Sequence, residues 1–230
     1  MARAIEGELR RWTDTEMGYV KKDLDQLVNR DEPAWPLVQG WISKAVRPVE
    51  VLPPSVHAGQ ALVSVQVTTR SPMGAVIFHT GGLLVDHGWM RILGSGHPRL
   101  PRSLPDWNFA CGMQESDTPP AWVLVADDVV GGFFALDGGR FGGSKHTVWY
   151  FAPDSLRWED MECGYSDFLC WCFTGNVDLF YETWRWPDWE AEVARIGGDQ
   201  ALNIYPPSQP MALVSPSAAA GRCRSWRCSG

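Results

Sequence analysis

The 230-residue sequence lacks any apolar run long enough to cross a bilayer. Its longest runs, such as Ala75 to Phe78 and Ala121 to Ala126, fall far short of the roughly 20 residues a membrane helix needs. The first residues, MARAIEGELRRW, are charged and hold no apolar segment, so neither a secretion signal nor a membrane partner is expected, and the expected location is cytoplasmic. A basic stripe is also missing. With 27 acidic against 20 basic side chains, a formal net charge of −7, the chain has no clustered Lys and Arg to meet a phosphate backbone, and nucleic acid is not an expected partner. Gly94-Ser95-Gly96 is not followed by the Gly-Lys-Ser/Thr of a phosphate loop, and no cofactor is expected. The six cysteines have no regular spacing. Cys111 and Cys163 are isolated, and no second Cys/His pair answers Cys170-Trp171-Cys172, so thiols rather than disulfides or a zinc site are expected.

What the sequence does have is a core. Apolar residues make up 45% and charged residues 20%, without a long polar run before the C-terminal end, which predicts one globular domain over 31–205. Residues 1–30 carry only a weak apolar period at Leu24, Leu27 and Val28 and read as a peripheral segment. Residues 206–230, rich in Ser, Pro, Ala, Gly and Arg, read as a disordered tail. The chain is organised around 121–173. Strands are predicted at Ala121 to Ala126, Phe133 to Leu136 and Thr147 to Ala152, separated by Gly131-Gly132 and Asp137-Gly138-Gly139. Asp154 then caps a short turn carrying Leu156 and Trp158, and Ser166 caps a helix holding Phe168, Leu169, Cys172 and Phe173.

Upstream, Asp31-Glu32-Pro33 opens an amphipathic helix over 34–45 with Trp35, Val38, Ile42 and Ala45 on one face. Alternation of Val63, Val65 and Val67 with Ser64, Gln66 and Thr68 predicts a strand over Ala61 to Thr69, with Gly74 to His79 as its hairpin partner and Leu83 to Val85 as a further strand. From Gly94 to Pro120 the reading is a long loop with one short strand near Trp107 to Ala110. Pro187 and Asp188 open a last helix, with Trp189, Val193 and Ile196 on one side and Gly197-Gly198 closing it. The fold class that follows is α+β: a mostly antiparallel sheet flanked by helices.

Chemistry-bearing residues gather in two places. Asp86, His87, Trp89, Arg91, His97 and Arg99 crowd one stretch, and Asp127 and Asp128 end a strand. Two histidines ten residues apart on a Gly-rich loop fix no metal geometry, and Ser95 is not in a nucleophile elbow. Aspartates beside glycine ordinarily cap backbone amides. The eight residues are therefore expected to contact a partner, since binding residues are often carried on loops held by a rigid sheet. A metal-assisted hydrolase using His87, His97 and the Asp127-Asp128 turn is the alternative. Of the 13 tryptophans, Trp184, Trp186 and Trp189 crowd one region beside Tyr181 and Arg185, where core packing is favoured over an interface.

The strings LLVDHGWMRILGSGHPRLPRSLPDWN, VLVADDVVGGFFALDGG, VWYFAPDSLRWE, YSDFLCWCFTG and FYETWRWPDWEAEV together resemble a bacterial family of uncharacterised proteins catalogued as a domain of unknown function, over about residues 30 to 206. The layout of helix, antiparallel strands with glycine turns and a closing Ser-Asp-Phe-Leu helix is similar, more distantly, to the SUKH superfamily. That resemblance implies a noncatalytic protein-binding module, with many relatives thought to be immunity proteins that neutralise toxins and others intracellular adaptors. After Pro207 the sequence SQPMALVSPSAAAGRCRSWRCSG departs from the family's expected closing segment.

Overall fold

Seven strands form one antiparallel sheet whose spatial order is the chain order, in a computed structural model that describes residues 21–113, 118–142 and 146–202. They are β1 (Val49–Leu52), β2 (Gly82–Val85), β3 (Met90–Leu93), β4 (Trp122–Asp128), β5 (Phe133–Asp137), β6 (Thr147–Ala152) and β7 (Arg157–Gly164). The helices are α1 (Leu24–Leu27), α2 (Trp35–Ser43), α3 (Ala58–Val65), α4 (Pro72–His79), α5 (Leu104–Ala110), α6 (Tyr165–Thr174), α7 (Val177–Phe180) and α8 (Trp189–Val193). This is the expected α+β class in a single domain. No helix among the described residues is long and apolar enough to cross a membrane.

The β4–β5–β6 meander stands where the sequence places it, with Leu136 opposite both Val123 and Val148. The turn at Asp154 leads directly into β7, a strand the sequence reading did not include, nor did it include β1 or β3. Two further predictions fail. Residues 61–69 and 74–79 are not a hairpin but lie in or beside the helices α3 and α4. The valine alternation is real, yet Ala58, Ala61 and Leu62 also lie three and four apart and are the residues buried. Ser71-Pro72, between the two expected strands, is a helix start: Ser71 accepts from the Gly74 amide at 3.1 Å and Pro72 occupies the first helical position. The same chemistry makes α5 where a short strand was expected, because Ser103 caps the Asp106 amide. Helix α6 begins at Tyr165 behind Gly164, so Ser166 lies inside its first turn and does not cap it.

Helices α1 to α4 pack on one another, and α6 lies between that group and strands β6 and β7. Their shared core holds Leu27, Val38, Leu62, Ile77, Leu83, Val85, Met90, Ile92, Phe134, Phe168 and Phe173, all fully buried. Leu27, assigned from sequence to a peripheral segment, is thus part of the body. Strands β2 and β3 are buried throughout, whereas β6 alternates between half-exposed and buried positions. Alternating side chains point to opposite faces, so the helices cover one face of β6 and leave Thr147, Trp149 and Phe151 on the other. Cys111 and Cys172 are free, but Cys163 and Cys170 are disulfide-bonded, which corrects the expectation of thiols at those two positions. The expected disordered tail lies outside the described residues.

Candidate functional site

The β2–β3 turn brings the first part of the polar cluster into place. Asp86, His87 and Gly88 have φ of 55°, 60° and 92°, so the tight turn sets three successive residues in the left-handed region, two of them with side chains. Such strain is maintained only where surrounding contacts impose it, and here they do. Arg185 binds the Asp86 carboxylate and also Asp178 at 2.5 Å, while Arg47 approaches Asp86 at 4.0 Å. The Arg185 guanidinium lies 4.1 Å from the Trp189 ring centre and 4.9 Å from that of Trp89. Trp89 is fully buried, with Trp189 at 4.9 Å and Tyr181 at 5.3 Å between ring centres. Trp184, Trp186 and Trp189 all pack against the core, as the sequence favours.

Arg91 and Asp127 stand opposite each other on β3 and β4. Arg91 Nε donates to Asp127 Oδ1 at 2.6 Å, and its two terminal nitrogens donate to the carbonyls of Gln200 at 2.5 Å and Asp128 at 2.9 Å. Arg102 donates to the other Asp127 oxygen and to the Gly198 carbonyl, and stacks on Trp107 at 4.3 Å. All three charged side chains are at least nine-tenths buried, so the carboxylate between two guanidiniums is a structural knot tying the sheet to the segment after α8. Gly198 lets that segment approach: a Cβ there would lie 2.3 Å from the Arg99 carbonyl.

Asp128, next in sequence, points to the helical face. Its Oδ1 accepts from the amides of Val130 at 3.1 Å and Gly132 at 2.7 Å, and its Oδ2 from the hydroxyls of Tyr150 and Tyr181, both at 2.9 Å. Burial pushes its carboxyl above the usual carboxylate range, against the pull of these donors, and burial together with the Asp128 charge pushes both tyrosines well above the ordinary phenol range. Gly132 is required by this packing, since a Cβ would meet Asp128 Oδ2 at 2.3 Å. The turn-capping explanation thus holds for Asp128 and for Asp137, whose Oδ1 accepts from three amides, but not for Asp127.

Of the eight expected contact residues, Asp86, Trp89, Arg91, Asp127 and Asp128 are buried. These five side chains are held inside the scaffold, which leaves His87, His97 and Arg99 as the members of the expected contact set that reach the surface. His87 and Arg99 are exposed and His97 is partly exposed. His87 and Arg99 line a cleft of about 290 Å³ closed on its other side by Val193 to Asp199, and His97 lines a groove of about 420 Å³ with Pro54, Val56, Pro101 and Asp106. Pro98 lines both, so His97-Pro98-Arg99 forms a ridge between two depressions. Arg99 pairs with Glu50 across the ridge, and Val56 is 95% exposed beside it. The sequence reading missed the roles of Arg102, Arg185, Tyr150 and Tyr181; the position of Arg185 between Trp184 and Trp186 is the one signal that could have drawn attention to any of them. Among the described residues no three His, Cys, Asp or Glu side chains gather as potential metal ligands.

A second grouping was also not anticipated. Trp122, Phe133, Trp149, Phe151 and Trp158 share the sheet face opposite the helices, and Phe141 stacks on Trp149 at 5.0 Å and lies 4.9 Å from Trp158. Trp122 and Trp158 are 6.0 Å apart, Phe151 and Trp158 5.4 Å. All six rings are half-buried.

The chain is similar to the uncharacterized protein YbfG of Escherichia coli strain K12, with 44% identity over 187 residues covering 80% of this chain and 84% of YbfG. It is similar also to an uncharacterized protein of Haemophilus influenzae strain Rd, with 40% identity over 184 residues, 80% of this chain and 81% of the relative. No solved structure matches it. The family match extends from residue 24 to residue 214, beyond Pro207, where the sequence reading placed the departure from the family. The bacterial family resembled by the five quoted strings is thereby identified, and the chain belongs to the family described as Protein of unknown function DUF2625.

Proposed function

We propose that this protein is a noncatalytic protein-binding module of the SUKH kind, acting on another protein such as a bacterial toxin through the His97-Pro98-Arg99 ridge. The observation that carries the reading is how the buried charges are spent. Asp127 is held by Arg91 and Arg102, Asp86 by Arg185 with Arg47 nearby, and Asp128 by four donors. Groups so engaged rigidify a scaffold; a general acid or base must instead reach a substrate proton. Around them the exposed loops present Val56, Pro54, Pro98 and Pro101 as an apolar centre with His87, His97, Arg99 and Arg195 at its edges. An apolar centre within a polar rim is the usual anatomy of a protein interface. The SUKH analogy rests on an opening helix, an antiparallel meander and the helix carrying Ser166-Asp167-Phe168-Leu169 directly after β7.

The proposed setting is the cytoplasm, which the charged N-terminal sequence favours and the disulfide-bonded Cys163 and Cys170 weigh against. Co-expression with toxins encoded beside the gene tests the function. Protection by the wild type should be lost in a Val56→Asp/Arg99→Glu double variant whose melting temperature stays within about two degrees, both being surface positions. Failure of the wild type to bind or protect against any of them refutes this reading.

A further inference from the structure

We infer that the cleft between the β2–β3 turn and the segment after α8 receives a carboxylate, an acidic side chain of the protein that the ridge binds; this rests on the reading of the ridge as a protein contact. His87, Arg91, Arg99 and Arg195 line the cleft, with Asp199 as the acidic member. On a chain of net charge −7 such a reversal of sign is local. The volume of about 290 Å³ lies at the lower limit of small-molecule pockets, which suits a side chain better than a cofactor or a drug-sized ligand.

The positive charge has a source beneath the surface. Arg91 and Arg102, both at least nine-tenths buried, share one carboxylate, that of Asp127. Their other donors go to neutral carbonyls, those of Asp128, Gln200 and Gly198. Arg91 and Gly198 themselves line the cleft, so a cation without a carboxylate of its own lies directly under the cleft wall. Asp128 does not offset it, because it faces the helical side of the sheet, where burial pushes its carboxyl up toward the neutral form. A buried charge is screened far less than an exposed one, and a cleft with low-dielectric walls focuses its field.

The balance of charge selects the ligand. Arg99 and its partner Glu50 are both about half exposed, and a pair of that kind holds its members weakly. Among the described residues Arg195 has no ion-pair partner. Four guanidiniums, those of Arg91, Arg99, Arg102 and Arg195, therefore meet three carboxylates, those of Asp127, Glu50 and Asp199. One further carboxylate completes the balance. A phosphate group, carrying about −1.5 to −2, would exceed it and set its second charge against Asp199. Guanidinium forks hold a carboxylate by paired hydrogen bonds, and Pro98 at the cleft edge offers apolar contact to the peptide that bears it.

Backbone amide chemical shifts of the full chain, titrated at constant ionic strength with N-acetylglutamate up to about 100 mM, test the inference, since a single small ligand of this kind binds in the millimolar range. His87, Gly197 and Gly198 should shift and saturate, while N-acetylglutamine, the uncharged counterpart, should leave them in place. Arg195→Gln should raise the half-saturation concentration about fivefold, the loss of one exposed ion pair. Two variants should bind more tightly, by about twofold to fivefold, because Glu50→Gln releases Arg99 and Asp199→Asn removes the competing charge from the lining. A gain of affinity cannot come from a damaged fold. Equal shifts with both ligands, no shift at all, or unchanged affinity in both carboxylate variants overturns the inference. So does tighter binding of inorganic phosphate, which would make the cleft a phosphate site. The two readings fail separately: a titration without carboxylate selectivity strikes the cleft and leaves the ridge, whereas a wild type that protects against no toxin strikes the ridge and leaves the measured carboxylate affinity standing.

Discussion

Two tryptophan clusters divide the molecule. In one, Trp89 and Trp189 flank Arg185, whose charge is met by Asp86 and Asp178, Trp186 lies beside Trp89, and Trp89 at the centre is fully buried. In the other, Trp122, Trp149 and Trp158 lie half-buried on a sheet face, with the loop residue Phe141 packed on Trp149 and Trp158. Both are assembled from the same residue type, and each lies beside a turn rich in glycine. The difference is that the first cluster has a cation to enclose and a C-terminal segment to enclose it. A tryptophan-rich region is therefore not in itself an interface; whether it is one depends on what the chain brings over it.

The largest loss is expected at the Asp127 knot, which joins β3 and β4 to the segment after α8. Asp127→Ala leaves Arg91 and Arg102 buried without their shared carboxylate, and should cost about 3–5 kcal/mol in chemical denaturation. Removal of the indole in Trp89→Ala should cost a similar 3–5 kcal/mol. Gly132→Ala drives a methyl group against Asp128 and Tyr150, neither of which can retreat from a full set of hydrogen bonds, and is expected to cost about 1–3 kcal/mol. At the open cluster the losses shrink: Trp158→Ala should cost about 1 kcal/mol, because a half-exposed ring has less burial to lose.

A smaller effect sharpens the same comparison through pH. Asp128 has its carboxyl raised by burial, so the fold favours its protonated form. Its contribution to stability is complete below the ordinary carboxylate value of about 3.9 and is lost as pH rises through the raised folded value. Asp128→Asn removes that titration. Between pH 4 and pH 7 the wild type should therefore lose stability relative to the variant, measured as the difference in melting temperature at each pH. A difference that grows in the opposite direction would mean that the four donors outweigh burial and that Asp128 is ionised throughout. His87→Gly tests the turn itself: a left-handed non-glycine residue is strained, and its relief is expected to leave stability unchanged or raise it by up to about 1 kcal/mol.

The meander at β4–β6 was legible because period-two patterning and Asp-Gly turns agreed there. The existence of α8 was legible too, from Pro187-Asp188 before Trp189, but it ends at Val193, short of Ile196 and of the glycines expected to close it. Helices α3 and α4 were not, because Val63, Val65 and Val67 alternate as a strand would, and the decisive burial of Ala58 and Ala61 comes from packing against other helices. Local alternation loses to tertiary burial in such short segments. The candidate site was legible as a set of residues and illegible as a geometry. Nothing in Asp127-Asp128 says that one carboxylate would face two arginines, from β3 and from the loop before α5, and the other two tyrosines from β6 and α7's end, because those partners lie 22 to 53 residues away from the aspartate they meet. Disposition of charge on opposite faces of one strand follows from the pleat, but its partners follow from the whole topology.

The division between a closed interior cluster and an open aromatic face is tested most directly by guanidinium unfolding of Trp89→Ala and Trp158→Ala side by side. Trp89→Ala should lose at least about 2 kcal/mol more than Trp158→Ala, with both variants unfolding in one transition. Equal losses would contradict it, because they would mean that Trp158 is as deeply enclosed as Trp89.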